Sequence, residues 1–283
     1  MSYTPRKAAN TVAALGLGAV LVLAIAGGSH STAAAEGPGE TAQGPLVWLI
    51  MGLAGDEARY ARYLETVQTL ASALEQRCHV SKEDIRILFD RGAPSPYPAC
   101  TAESLVGELD RIAEASRRKR PLWVFLLGHA ATAKDEGTFH VQGHDVTMRE
   151  MAEHLAKVDS ASPLVLVLTT AASGNALKTL RGPNRTLVAA CPPGAVDDET
   201  EFPHILARIL AQPQSADVNA DRLLSVAEAV AACRDEVAVW YQDQGLVCTE
   251  KAVVDGNGDG NLSQDGEQDD ERCARAIGLR YNP

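Results

Sequence analysis

The chain has 283 residues, a formal net charge of −11 and few aromatic side chains. That length suits one sizeable core or two small ones. So acidic a balance excludes nucleic acid and anionic lipid as natural partners and favours cations.

The opening segment sets the compartment. Arg6 and Lys7 precede Val12 to Gly28, a run of apolar residues and glycine, and Ala33-Ala34-Ala35 follows as a small-residue site before Glu36. This order predicts a secretory signal over residues 1–35, and an exported, periplasmic or extracellular, chain. The alternative is an uncleaved membrane anchor, because the run sits at the lower edge of a bilayer span. Loss of Arg6 and Lys7 takes the charge from −11 to −13. Export would permit disulfides among Cys78, Cys100, Cys191, Cys233, Cys248 and Cys273. Spacing does not choose their pairing, although Cys78–Cys100 and Cys248–Cys273 would each close a local loop. Cys191 also reads as a buried thiol.

Residues 36–45 form a polar, glycine-containing linker. The segment 46–212 then alternates apolar runs with helical patterns. Leu46 to Leu53 is an expected buried strand ending at Gly55-Asp56. Tyr60 to Gln76 carries Tyr63, Leu64, Val67, Leu70 and Leu74 at helical spacing. Ile85 to Phe89 is a short strand. Thr101 is placed to cap a helix with Leu105, Leu109 and Ile112 on one face. Arg117 to Arg120 reads as a solvated basic helix end. Leu122 to Leu127 is a strand ending in Gly128-His129. Thr147 to Val158 is helical, and Leu164 to Leu168 is a strand running into Thr169 to Gly174. Thr186 to Ala190 is a strand, and Phe202 to Ala211 is a helix. Within 213–283, Leu224 to Asp243 is a longer helix. Continuous apolar strands separated by helices predict a three-layer α/β domain with a mostly parallel sheet. Chemistry in such sheets gathers at the carboxyl ends of strands, where His129 and the Ala171 to Gly174 turn both fall.

The segment WVFLLGHA (Trp123 to Ala130), followed by LVLVLTTAASGNAL (Leu164 to Leu177), resembles the caspase-like cysteine peptidases of the legumain type. In that family one strand ends in Gly-His, and the next ends in a segment like E-A-C-x-S-G that carries the nucleophile. The resemblance implies a caspase/legumain-like fold. It places the assisting histidine at His129, after Gly128, and the Ser-Gly pair at Ser173-Gly174. The cysteine position then falls on Ala171, which has no nucleophile. The leading expectation is therefore an inactive peptidase homologue that binds a peptide or protein partner in the old crevice. A second expectation is an active peptidase with a displaced nucleophile, Cys191 or Ser173. Against it, Ser173 lies two residues past the expected place and suits a helix cap. His129 itself has a plainer reading as a hydrogen-bonded strand-end residue.

Two acidic stretches resemble EF-hand calcium loops. In 217–228, Asp217, Asn219, Asp221, Ser225 and Glu228 occupy the first, third, fifth, ninth and twelfth loop positions, and Leu223 offers its carbonyl at the seventh. The departure is Arg222, where glycine normally supplies a positive φ. In 255–267, Asp255, Asn257, Asp259, Asn261 and Ser263 fall in pattern and Gly260 is correctly placed. The twelfth position is Gly266, so Asp265 or Glu267 would have to replace the missing carboxylate. A hard cation needs six to eight oxygens wrapped around one centre, so the resemblance implies structural Ca2+. A third expectation follows, that calcium-dependent extracellular interaction is the main role.

Overall fold

The computed structural model describes residues 44–133, 136–195, 199–262 and 268–282. The signal-like segment 1–35, most of the linker, and Ser263, Asp265 and Glu267 lie outside these residues. No helix among the described residues is long and apolar enough to cross a membrane.

The strands β1 (Leu46–Met51), β2 (Ile85–Phe89) and β3 (Leu122–Leu127) pair in parallel, with β1 between the other two. Helix α1 (Glu57–Gln76) joins β1 to β2, and α2 (Ala102–Ser116) joins β2 to β3. Both helices start at a side-chain cap, Thr101 as expected and Asp56 in what the sequence suggests is only a turn. The Asp56 carboxylate accepts the Arg59 N–H at 2.8 Å, and Thr101 and Ser104 form a reciprocal box.

After β3 the chain makes a small antiparallel sheet of β4 (Ala130–Ala133), β5 (Glu136–Phe139) and β6 (Val146–Thr147), which leads into α3 (Met148–Leu155). Strand β7 (Leu164–Leu168), helix α4 (Ser173–Leu180) and strand β8 (Arg185–Ala189) extend the main sheet in parallel. Then come α5 (Phe202–Ala211), β9 (Leu223–Ser225), α6 (Val226–Asp243), β10 (Val253–Asp255), α7 (Gln268–Ala276) and β11 (Gly278–Arg280). The main sheet has the order β2-β1-β3-β7-β8-β10, and only β10 runs antiparallel. β9 pairs with β11 in a separate ribbon.

The central strands are apolar at every position because both faces are covered. Their side chains divide by alternation. Val47, Leu49, Met51, Trp123, Phe125 and Leu127 pack with α1, α5 and α6, whereas Trp48, Ile50, Val124 and Leu126 pack with α2, α3 and α4. The α/β class and the mostly parallel sheet are as the pattern predicts.

Three expectations need correction. Among the described residues, which include all six cysteines, no disulfide forms. Cys78 and Cys100 belong to different cores, and burial pushes both thiols up to about 12. The basic run is not uniformly solvated. Arg120 is only 12% exposed and bridges Asp84 to the Gly44 carbonyl. The expected helix from Leu224 opens instead as strand β9, because Leu223 to Ser225 meet β11 before Ser225 caps α6.

Candidate functional site

The parallel register brings the two strand ends together. The last pair of β3 and β7 is Leu126 opposite Leu168. His129 and Ala171 each lie three residues beyond that pair. Thr169 ties the ends further, its hydroxyl donating to the Leu126 carbonyl at 3.0 Å.

Gly128 permits the sharp exit from β3. Its φ is +105°, and a Cβ there would lie 3.0 Å from the Leu53 carbonyl oxygen. The turn after β1 supports the imidazole. His129 Nε2 lies 3.0 Å from the Ala54 carbonyl, while the Ala54 N–H donates to buried Asp90 at 3.1 Å. A carbonyl only accepts, so Nε2 carries the proton in the neutral ring and Nδ1 is left as an acceptor. The ring is half-buried and oriented, as a recognition or proton-handling group needs to be.

At the second strand end the position that matches His129 carries no nucleophile. Ala171 is buried. The Ser173 hydroxyl is fully buried and accepts the Cys191 backbone N–H at 3.1 Å. It thereby joins the start of α4 to the end of β8, rather than capping the helix as the sequence suggests. Gly174 packs directly on the turn after β8, where a Cβ would lie 2.3 Å from the Pro192 carbonyl carbon. The Cys191 side chain is fully buried. Asn175, not singled out by the sequence, spans the rim. Its amide donates to the Thr132 hydroxyl at 3.0 Å and its carbonyl accepts the Gly194 N–H at 2.9 Å. No sequence signal marks such a bridge, because its ends come from different loops.

The acidic loops fold differently from one another. In 217–228, Arg222 takes a φ of +65°, so arginine adopts the left-handed conformation expected of glycine there. Such a conformation costs about 1–2 kcal/mol. Asp217 is 8% exposed, and its Oδ2 accepts the Arg222 N–H at 2.9 Å and the Tyr281 hydroxyl at 2.8 Å. Burial raises the Asp217 pKa, but the Tyr281 hydroxyl and the loop N–H groups outweigh it and hold the carboxyl below its ordinary value. Its Oδ1 is buried without a hydrogen-bond partner. Asn219 and Asp221 lie on the exposed side, accepting the N–H groups of Asp221 and Leu223. Glu228 closes the loop, with Oε1 accepting the Val218 N–H at 3.2 Å and Oε2 taken by Ser225.

In the second loop the Asp255 oxygens are already engaged. Oδ1 accepts from Gly258 at 2.7 Å and Oδ2 from Gly260 at 2.8 Å. Burial pushes its carboxyl up, and the nearby Asp270 and Asp259 add to the rise against those N–H donors. Asn257 and Asp259 accept the N–H groups of Asp259 and Asn261. Asp270, on α7, accepts the Gly256 and Asn257 N–H groups. Sequence spacing missed it, because it lies beyond the loop.

Among the described residues no three His, Cys, Asp or Glu side chains converge on one metal position. A cation in the first loop must therefore draw also on amide and carbonyl oxygens, as hard cations readily do. The lone Oδ1 of Asp217 fits such an ion. The sequence matches no protein-family model, and no curated protein shows significant similarity to it.

Proposed function

We propose that this chain is an exported, non-catalytic relative of the caspase- and legumain-type peptidases, and that it recognises a peptide or protein at the carboxyl edge of its sheet. The observation that carries this reading is the strand-end pair. His129 and Ala171 each lie three residues beyond the Leu126–Leu168 pair of β3 and β7, so the position that matches the histidine on the neighbouring strand is an alanine. The candidate replacements are poorly suited to attack. The Ser173 hydroxyl is spent on a backbone N–H, and the Cys191 side chain is fully buried. An oriented imidazole with a free acceptor nitrogen still suits recognition of a peptide N–H. The signal-like segment 1–35 supports export. Structural calcium in the C-terminal part belongs to the same reading, supported by the lone buried oxygen of Asp217. That oxygen also favours the second reading, a calcium-dependent interaction module.

Covalent labelling tests the main reading. The purified chain is treated with thiol- and serine-directed peptidase probes, beside Ala171→Cys and His129→Ala variants. The wild type should take no label that depends on His129. Ala171→Cys should gain thiol labelling, and the double variant should lose it. Wild-type labelling abolished by His129→Ala would establish a working hydrolase and overturn the proposal.

A further inference from the structure

The end of the chain meets the first acidic loop at the same carboxylate that a cation would use. Tyr281 donates its hydroxyl to Asp217 Oδ2 at 2.8 Å, and its N–H to the Arg222 carbonyl at 3.1 Å. β11 pairs with β9, the strand formed by the seventh to ninth loop positions, with Leu279 opposite Leu224. The Ile277 carbonyl accepts the Val226 N–H, and the Asn282 N–H donates to the Arg77 carbonyl, at 2.9 and 3.0 Å respectively. Leu279 and Tyr281 are both buried.

Asp217 is 8% exposed, and its second oxygen has no partner among the described residues. The Arg222 N–H on Oδ2 turns this carboxylate into the loop, and Glu228 closes the loop from the far side through the Val218 N–H. A carboxylate oxygen that accepts no hydrogen bond keeps its lone pairs available to a hard cation. The loop offers further oxygens in Asn219, Asp221 and the Leu223 carbonyl, a donor set that suits Ca2+.

We propose that a calcium ion held by the Asp217–Glu228 loop locks the C-terminal strand in place, so that ion binding and docking of β11 with Tyr281 are one linked equilibrium. This rests on the calcium reading above and goes beyond it by naming the loop and the element it controls. An ion that binds only the docked form suppresses undocking by the factor that its binding supplies. At about a hundred times its dissociation constant, Ca2+ should slow any exchange that requires undocking about a hundredfold.

The test uses the full chain, stripped with a chelator and titrated with CaCl2 by calorimetry. Hydrogen exchange of residues 277–282 is followed by mass spectrometry in parallel. Wild type should give binding heat and the slowing just stated. Asp217→Asn should abolish the slowing, while Asp255→Asn should retain it. Should Asp217→Asn fail to fold, Asn219→Ala, at an exposed position, should raise the dissociation constant and shift the slowing to higher calcium. The absence of any binding heat in wild type would sink the calcium reading and this proposal with it. Binding heat with unchanged exchange at 277–282, or slowing lost in Asp255→Asn instead, would overturn this proposal alone.

Discussion

Mild acid should weaken the contact between α1 and α5 through a single histidine. His204 is buried on α5, with Nδ1 2.6 Å from the Thr66 hydroxyl and its ring 5.1 Å from that of Tyr63. Its Nε2 is buried without a partner. Burial, reinforced by Arg62 and Arg208, pushes its pKa down from 6.5 to about 3. The folded state therefore holds a neutral imidazole, and the unfolded chain takes up the proton first. This contribution to stability is fully present above the unfolded value of 6.5. It is lost progressively as pH falls towards about 3. Each pH unit in that window costs about 1.4 kcal/mol, so the fall from pH 6.5 to 5 removes about 2 kcal/mol. That range lies above most carboxylate titration, which keeps the signal separable. His204→Leu removes the titrating group, and Thr66 keeps its bond to the Arg62 carbonyl at 3.0 Å. Urea unfolding at several pH values should show a steeper acid loss in wild type than in His204→Leu. Parallel losses in the two proteins would refute the reasoning.

Two further outcomes follow from the second strand end. Ser173→Ala removes the buried hydroxyl that accepts the Cys191 N–H and should cost about 0.5–1.5 kcal/mol in urea unfolding. A cost near zero would mean that the hydroxyl is not structural, and loss of a serine-directed label in this variant would make it reactive. Gly174→Ala places a methyl 2.3 Å from the Pro192 carbonyl carbon and 2.4 Å from the Pro193 nitrogen. It should destabilise by about 1–3 kcal/mol or more, and an unchanged unfolding midpoint would contradict the close packing described.

Much of the fold follows from local pattern. Val47 to Met51, Leu122 to Leu127 and Leu164 to Leu168 are apolar throughout, which is what strands covered on both faces require. Thr101 announces a helix start because capping needs only a few neighbouring residues, whereas Asp56, read in the sequence only as part of a turn, proves to cap α1. Short elements were a different matter. β9 and β11 are each three residues long, too short for a period to register, and each exists because the other is opposite it.

The candidate sites divide along the same line. Residue identity alone put alanine where the resemblance needs cysteine, and set the oxygen spacing of the acidic loops. Tertiary packing then assigned the roles. It spent the Ser173 hydroxyl on Cys191 and turned His129 onto the Ala54 carbonyl. It also made Arg222 adopt the backbone of a glycine. Spacing did not choose between the acidic loops, since the first has Arg222 in the glycine position and the second has Gly266 in the place of the closing carboxylate. Packing distinguished the first, by burying Asp217 beneath Tyr281 with one oxygen unaccompanied. The reason is physical. Spacing decides which atoms can reach a point, whereas burial and hydrogen bonding from distant segments decide which of them still need a partner.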